Sequence, residues 1–397
     1  MFNADYRAAV AAEAAGNVEL AAERYGLAGD RPAAVRMHLA RAKRAADRTA
    51  EIAALHDAVH WAGDDPDLQR VAAAALGRAL YARAVAEGIA TARDKEKVKE
   101  AARMLGKGGD WATAGEAYEA IGDFQAAATA YSSAGLVDKV EAALGADEEL
   151  HRRERERKDA FADYQTHLRI GRRDDARADL LRCVAAAAEG DGQGAGEYRR
   201  LLDDLEARLI TGGRMQLRRR RGGSVVVCAA PLIGLGRDAL CDLVLRTGGV
   251  SRRHAEIEVG EPGPSRFMLR DAGSRNGTSI AGLPIAGRVP LTGAGRFDLG
   301  DDLTIDFQCH GEPALLVLTV ATGVDRGAQL VAGADGDRFD LSWVGLPFDV
   351  VYADGRPWIG KGAARELAVA GEPLVSGRAQ LVRGDLVVAD GEEIDVT

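Results

Sequence analysis

Cysteine is scarce in this chain: four residues (Cys183, Cys228, Cys241, Cys309) among 397, with no Cys-x-x-Cys pair. That usage excludes a disulfide-stapled scaffold and a zinc ribbon, and points to a reducing compartment. Aromatic residues make up only 5%, which argues against a large aromatic-lined pocket. No apolar run approaches the roughly 18 residues of a membrane span, and the opening MFNADYRAAV has no signal-peptide stretch. The seven histidines are scattered, and neither His-Glu-x-x-His nor Gly-x-Ser-x-Gly occurs. These absences lead to the expectation of a soluble cytoplasmic protein that is not an enzyme and holds no metal or cofactor.

Hydrophobic residues at 47% and charged residues at 28% fit a globular chain, and 41.9 kDa fits two or three domains. Net charge is −9, so general binding to nucleic acid or to an anionic membrane is not expected. The charge is unevenly distributed. Residues 1–213 carry −6 and residues 311–397 carry −7, whereas residues 214–310 carry +4, from 14 basic and 10 acidic side chains.

The sequence changes character near residue 212. Before it Ala, Glu, Arg and Leu dominate; after it Val, Gly and short alternating runs take over, so helices should precede strands. The helical half contains a short repeat. Gly109, Gly122 and Gly135 recur every thirteen residues, followed at the same interval by Trp111, Phe124 and Val137, and by Tyr118 and Tyr131. Gly16 and Gly29, with Val18 and Tyr25, form an earlier copy. Thirteen residues accommodate a helix of about three turns and a reversal at glycine, so helices should stack in antiparallel pairs with small Ala faces against aromatic rings. On the Gly, Ala and Tyr positions the region resembles a degenerate tetratricopeptide-like α-solenoid. Asp65-Pro66 reads as an N-cap followed by proline at the first helical position. The charged run from Glu148 reads as a solvated connecting helix, and the glycine-rich stretch 189–197 as a loop between the last two helices.

Candidate chemistry is confined to residues 214–310. Gly236-Arg237 closes an apolar run, Ser251-Arg252-Arg253-His254 follows a glycine turn, and Asn276-Gly277-Thr278 follows Arg275. Leu269-Arg270-Asp271 and Leu299-Gly300-Asp301 frame them. Taken singly each is unremarkable: His254 reads as a satisfied structural histidine and Arg275 as a surface turn residue. In this order and spacing they resemble a forkhead-associated (FHA) domain, whose fold is an eleven-stranded β-sandwich with loops that bind phosphothreonine peptides.

The resemblance implies that Arg237 and Ser251 contact phosphate, that Arg252 and Arg275 add further contacts, and that Asn276 bonds the peptide backbone. It makes Gly236, His254, Gly277 and Thr278 structural supports, with His254 pinning the loop that presents Ser251. Chemistry agrees, because a phosphothreonine bears about −1.5 to −2 charge and three acceptor oxygens, which a guanidinium and short donors on neighbouring loops satisfy. The departure from the family pattern is Arg275, where a small hydroxyl residue is often found.

Arg218–Arg221 precede the run SVVVCAA and read either as a first strand with a basic exposed face or as an electropositive rim, the former being favoured. Gly355–Gly362 fits Gly-x-x-x-x-Gly-Lys but has Gly362 where a P-loop needs Ser or Thr, so a hairpin is expected there. Residues 311–397 are again strand-like. Ala370-Gly371-Glu372-Pro373-Leu374 echoes Ala281-Gly282-Leu283-Pro284-Ile285, each followed by Gly-Arg, but there is no Ser-x-x-His or Asn-Gly-Thr. Either a degenerate FHA-like sandwich or another small β-sandwich or barrel satisfies this pattern.

The expected fold is therefore a multidomain α plus β chain, with an α-solenoid of helical hairpins at 1–212, an FHA sandwich at 214–310 and a small β-rich domain at 311–397. The expected function is that of a non-enzymatic adaptor. It would read a phosphothreonine-bearing partner in a Ser/Thr kinase pathway and grip another protein through its helices, with no nucleic-acid partner. The composition suits a high-GC bacterium. The alternative is a structural subunit of an assembly whose FHA fold docks a partner independently of phosphorylation.

Overall fold

A computed structural model describes residues 4–188, 194–375 and 377–397. The chain divides into two compact units, Met1–Glu154 and Arg155–Thr397. The first is helical. It holds Ala4–Ala14 (α1), Val18–Leu27 (α2), Arg31–Lys43 (α3), Arg48–Ala62 (α4), Pro66–Glu87 (α5), Ala92–Lys107 (α6), Trp111–Glu119 (α7) and Phe124–Ser133 (α8). Val137–Arg169 (α9) runs through the division and contains the charged run as continuous helix.

Successive helices pack in pairs, and the thirteen-residue spacing has a local cause. Gly16, Gly29, Gly109, Gly122 and Gly135 all take φ between 72° and 81°, the left-handed region that ends a helix at little cost only for glycine. At Asn17, Asp30 and Asp123 the very next side chain accepts an N–H of the following helix, so one dipeptide stops a helix and starts another. Tyr25 donates to Glu13 at 2.6 Å and Tyr131 to Glu119 at 2.7 Å, the same bond in the two copies of the repeat. The Glu13 bond, with burial and the Glu13 charge, pushes the Tyr25 phenol up to about 12. Small residues admit the rings: a Cβ on Gly115 would lie 2.3 Å from the Tyr131 ring. Asp65 caps α5 ahead of Pro66 as its sequence implies.

The second unit begins with the end of α9 and adds Arg173–Ala188 (α10) and Ala195–Arg208 (α11). Of the glycine-rich stretch 189–197, residues 189–193 lie outside the described residues, and Ala195 already belongs to α11. Then come Arg214–Arg219 (β1), Ser224–Ala229 (β2), Leu232–Gly236 (β3), Leu243–Val244 (β4), Ala255–Val259 (β5), Phe267–Asp271 (β6) and Thr278–Ile280 (β7). Leu283–Pro284 (β8), Val289–Pro290 (β9), Ala294–Leu299 (β10), Leu303–His310 (β11), Leu315–Val320 (β12) and Gln329–Gly333 (β13) follow. Arg338–Asp340 (β14), Asp349–Ala353 (β15), Arg356–Gly360 (β16), Leu367–Val369 (β17), Glu372–Pro373 (β18), Arg378–Gln380 (β19), Leu386–Ala389 (β20) and Glu392–Val396 (β21) complete the chain.

One twelve-stranded sheet spans this unit in the order β18-β17-β20-β21-β1-β2-β13-β12-β11-β10-β7-β8. A five-stranded sheet, β4-β3-β5-β6-β9, and a four-stranded sheet, β14-β15-β16-β19, cover it. The middle strands are buried on both faces. Val225, Val227, Leu315, Val317 and Val331 join one core with Phe339, Val350 and Tyr352. Val226, Cys228, Leu316, Leu318 and Leu330 join the other with Ile233, Leu235, Ile257 and Leu269. Two sandwiches therefore share one layer.

Both halves of that layer repeat a single strand order, β8-β7-β10-β11-β12-β13 and β18-β17-β20-β21-β1-β2. The corresponding strands β13 and β2 lie side by side and parallel, Val331 opposite Val227. The hairpin β1–β2, although it precedes β3 in sequence, completes the sandwich built by β14–β21. The hairpin β12–β13 completes the sandwich built by β3–β11. The Ala281-Gly282 and Ala370-Gly371 turns, all at positive φ, occupy matching places in β7–β8 and β17–β18.

The division between the two units, at Glu154/Arg155, is not at either of the boundaries expected at 212 and 310. The division at 310/311 falls between β11 and β12, which are neighbours in one sheet, so the chain has no spatial break there. Helices α10 and α11, before residue 212, fall in the same compact unit as the strands. Gln380 donates to Asp174 at 2.8 Å, Arg356 donates to the Ile210 carbonyl at 3.0 Å, and Arg208 pairs with Asp385 at 3.0 Å. Such long-range polar ties have no signature in a linear reading. The stretch from Gly355 forms the β15–β16 hairpin, with Asp354 and Gly355 at positive φ.

Asp385 is fully buried, accepts the Val382 N–H at 3.1 Å, and faces Arg173 at 3.8 Å as well as Arg208. Burial pushes its carboxyl up against the pull of the two guanidiniums. Asp385→Ala strands the buried Arg173 charge and should cost about 3–5 kcal/mol. Denaturant unfolding checks this, and a loss below about 1 kcal/mol, the value of an exposed pair, would show that the pair does not hold α10 and α11 to the strands.

Candidate functional site

The candidate residues converge on the loops at one end of the first sandwich. Strand β3 ends at Gly236, and its pairing with β5 places the chain beyond it against residues 251–253. The Arg237 N–H donates to the Ser251 carbonyl and the Asp238 N–H to the Arg252 carbonyl, both at 3.0 Å. This close approach explains Gly236: a Cβ there would sit 2.2 Å from the Arg252 carbonyl oxygen. Gly249 is constrained in the same way by Asp302, whose carboxylate oxygen would be 2.1 Å from a Cβ.

His254, fully buried, ties two loops together. Its Nδ1 accepts the Ser251 N–H at 3.0 Å, so Nε2 carries the proton and donates to the Gly277 carbonyl at 2.9 Å. The neutral tautomer is thus fixed by its neighbours, and the Ser-x-x-His spacing becomes a hinge pin between the 251 turn and the 277 turn.

Ser251 Oγ accepts the Arg275 N–H at 2.9 Å. With that acceptor position used, its own O–H remains to donate outward. Asn276 donates through Nδ2 to the Gly249 carbonyl at 2.8 Å, which leaves its amide oxygen as an acceptor at the same rim. Arg237, Arg252 and Arg275 are all exposed, and no side-chain partner engages them among the described residues. Arg253, the fourth guanidinium of the cluster, is occupied by the buried Glu256, which also holds Arg270. Burial alone would raise the Glu256 carboxyl, but the bonds from Arg270 and Arg253 outweigh it and hold it below the usual carboxylate range. The arrangement leaves three guanidiniums without a side-chain partner among the described residues, and one directed hydroxyl, on adjoining loops.

Thr278, buried, bonds Asp271 at 2.7 Å, as does Ser274 Oγ, and Asp271 also accepts the N–H groups of Gly273 and Ser274 at 2.8 Å. Burial raises this carboxyl, but its four donors outweigh that and keep it low. Ser274 Oγ in turn accepts the Gly277 N–H at 2.9 Å, and Gly277 takes φ 75°. Asp271 and Ser274 are the organising residues of the second loop. Reading the sequence by motif left Asp271 in the frame and passed over Ser274, although Asp followed by Gly two residues on is the signature of an Asx turn. Glu256 had no such signal, being one acidic residue in a strand.

Residues 233–300 match the FHA domain family, and this segment is an FHA domain. Among solved structures, the chain is similar to the FHA domain of the CT664 protein from Chlamydia trachomatis, at 26% identity over 22% of this chain and 89% of that one, with a TM-score of 0.18. It is similar to FHA-1 of Mycobacterium tuberculosis Rv1747, at 24% identity over 24% of this chain and 94% of that one, with a TM-score of 0.20. It is also similar to the yeast Dun1 FHA domain, solved with a doubly phosphorylated (pT) peptide derived from Rad53 SCD1. That match has 19% identity over 28% of this chain and 78% of that one, with a TM-score of 0.19. A search of curated proteins finds no match. The family match, not these superpositions, assigns the domain.

Gly236→Ala should destabilise the domain by about 1–3 kcal/mol, the usual cost of overpacking against fixed backbone. Gly287→Ala, where a Cβ meets nothing within 4 Å, is the control and should be near neutral. Thermal unfolding of both variants checks the contrast, and equal melting temperatures would remove the proposed steric role of Gly236.

Proposed function

We propose that the chain is a non-enzymatic, cytoplasmic adaptor whose FHA domain binds a phosphothreonine on a partner protein, placing it in a Ser/Thr kinase pathway. One observation carries the reading. Among the described residues, the Ser251 O–H and the Arg237 guanidinium are left without an internal acceptor, on two loops that are locked to each other through backbone bonds and His254. Pre-organised, charge-assisted donors with no internal acceptor are what a phosphate dianion requires. Arg252 and Arg275 would add charge from either side, and the Asn276 amide, already anchored to Gly249, would present its oxygen to a peptide N–H. In this reading Arg275 strengthens the attraction that a smaller hydroxyl residue would provide.

The helices of the first unit, read as tetratricopeptide-like pairs, would supply a second surface for another protein. The sandwich completed by β1–β2 repeats the strand order of the FHA sandwich, which supports reading it as a degenerate copy. It carries neither Ser-x-x-His nor Asn-Gly-Thr, so the phosphate site belongs to the first copy alone.

Arg237→Ala and Ser251→Ala should each abolish detectable binding of a phosphothreonine peptide while the domain stays folded, Arg237→Ala with the melting temperature unchanged and Ser251→Ala with a small decrease from loss of the Arg275 N–H bond. Calorimetry on a peptide recovered from a phosphothreonine array is the measurement. A phosphoserine version should bind more weakly by about 1–3 kcal/mol, the value of one methyl in a fitted pocket. Binding that persists in both variants, or that ignores phosphatase treatment, would favour a structural subunit docking an unphosphorylated partner.

A further inference from the structure

A second feature lies beside the phosphate site and has no part in the reading above. Strand β1 continues the large sheet past β4, the edge of the five-stranded sheet, and the step between them forms a cleft of about 1130 Å³. Met215 and Leu217 point into a core, so Arg214, Gln216 and Arg218 face the cleft from its floor. Arg246, just past β4, and Arg326, in the turn between β12 and β13, close its other sides.

The charges lining it divide into spent and unspent. Arg246 is held by Asp325 at 2.8 Å, Arg220 by Asp395 at 3.2 Å, and Arg214 faces Asp242 at 4.0 Å. Arg219 bonds the Val344 carbonyl and lies 3.7 Å from Glu392. Arg218 and Arg326 are exposed and have no partner among the described residues, so the cleft keeps a net positive wall.

The cleft is also mechanically continuous with the phosphate loop. The Asp325 carboxylate accepts the Arg246 N–H at 2.5 Å as well as its guanidinium, and the same turn reaches Thr247 through Gly323, where a Cβ would lie 2.8 Å from Thr247 Oγ1. Arg246 precedes Ser251 by five residues, so at most about 18 Å of chain separates them. A peptide held at Ser251 therefore needs about five extended residues to reach the Arg246 side of the cleft.

We infer that this cleft receives an acidic run of the phosphorylated partner, adjacent in its sequence to the phosphothreonine; the inference rests on the phosphothreonine reading. A few carboxylates match two separated, unspent guanidiniums. A nucleic-acid backbone fits less well, because Asp242, Asp325 and Asp395 interrupt the wall and would repel a continuous polyanion.

The test is fluorescence anisotropy with the full chain and three peptides. One carries phosphothreonine and a flanking glutamate run, prepared with the run on either side. The second has glutamine in place of the run, and the third is acidic but unphosphorylated. For the wild type at low salt, one placement of the run should tighten binding about fivefold, a gain that high salt removes and that the double variant Arg218→Gln/Arg326→Gln lacks. The glutamine-flanked phosphopeptide should bind both proteins equally. If acidic and neutral phosphopeptides bind within about twofold of each other in both placements, or if the double variant keeps the gain, the cleft inference is overturned while the phosphothreonine reading stands. If no phosphopeptide binds, that reading itself falls. A duplex DNA that competes through the same two arginines, with no effect of the glutamate run, would also overturn the inference.

Discussion

Burial on both faces of three adjacent strands is the constraint on which the second unit depends. A strand in an ordinary sandwich shows one face to solvent and alternates apolar with polar residues. β2, β12 and β13 cannot alternate, because Val225 and Val227 enter one core while Val226 and Cys228 enter the other. Their sequences are accordingly near-continuous apolar runs, and Tyr352, the buried phenol above them, hands its hydroxyl to the Val227 carbonyl at 3.1 Å rather than leaving it unpaired. Because the two cores share these strands, a substitution at any of them is felt by both sandwiches. The exchange of hairpins then follows naturally. Each hairpin contributes one face to the neighbour in sequence and the other face to the sandwich it completes, so neither sandwich is finished until the whole unit has assembled.

The buried ion pair between Arg266 and Asp337 reinforces the same junction. Arg266 leads into β6 of the FHA sandwich, Asp337 leads into β14 of the other, and the arginine is almost wholly inaccessible. Such a pair adds little net stability but penalises any arrangement that separates its partners. Arg266 stands just before the start of β6 and the Asn276 loop departs from its other end, past Asp271, and that separation along the strand is useful. A rigid shared layer fixes the strand ends from which those loops depart, so the loops can spend their hydrogen bonds on one another instead of on the core.

How much of this was legible in the sequence depends on the range of the interaction. The glycine–aspartate punctuation of the helices, the Asp65-Pro66 start and the hairpin at Asp354-Gly355 are local, and local chemistry announces them. The FHA site was legible because its supports recur at fixed short spacings: Ser251 to His254 is a single bond's span, and Asn276-Gly277-Thr278 is one turn. Other features were not. Apolar alternation in β1 is clear, yet nothing in Met215 or Leu217 says which of two similar sheets they will face. The choice is made by register against β21, nearly two hundred residues away. The same distance hides the attachment of α10 and α11, which runs through Asp174, Arg208 and Asp385. The Gly236 requirement lay between these extremes: the glycine was visible, its reason being a carbonyl sixteen residues on.

Charge follows the same division between local and assembled. The acidic average of the chain conceals a basic segment at 214–310, and even that segment's sum conceals which arginines are available. Arg253 and Arg270 are consumed by Glu256, Arg246 by Asp325, and Arg220 by Glu393 and Asp395. Arg218, Arg221, Arg237, Arg252 and Arg275, with Arg326 beyond the segment, have no side-chain partner among the described residues. At physiological salt the Debye length is about 8 Å, so an approaching anion senses these few groups rather than the net charge of the molecule. Folding thus narrows a diffuse count of arginines to a few unpaired guanidiniums, because the acidic side chains that outnumber the basic ones over the chain occupy most of the other arginines of this segment.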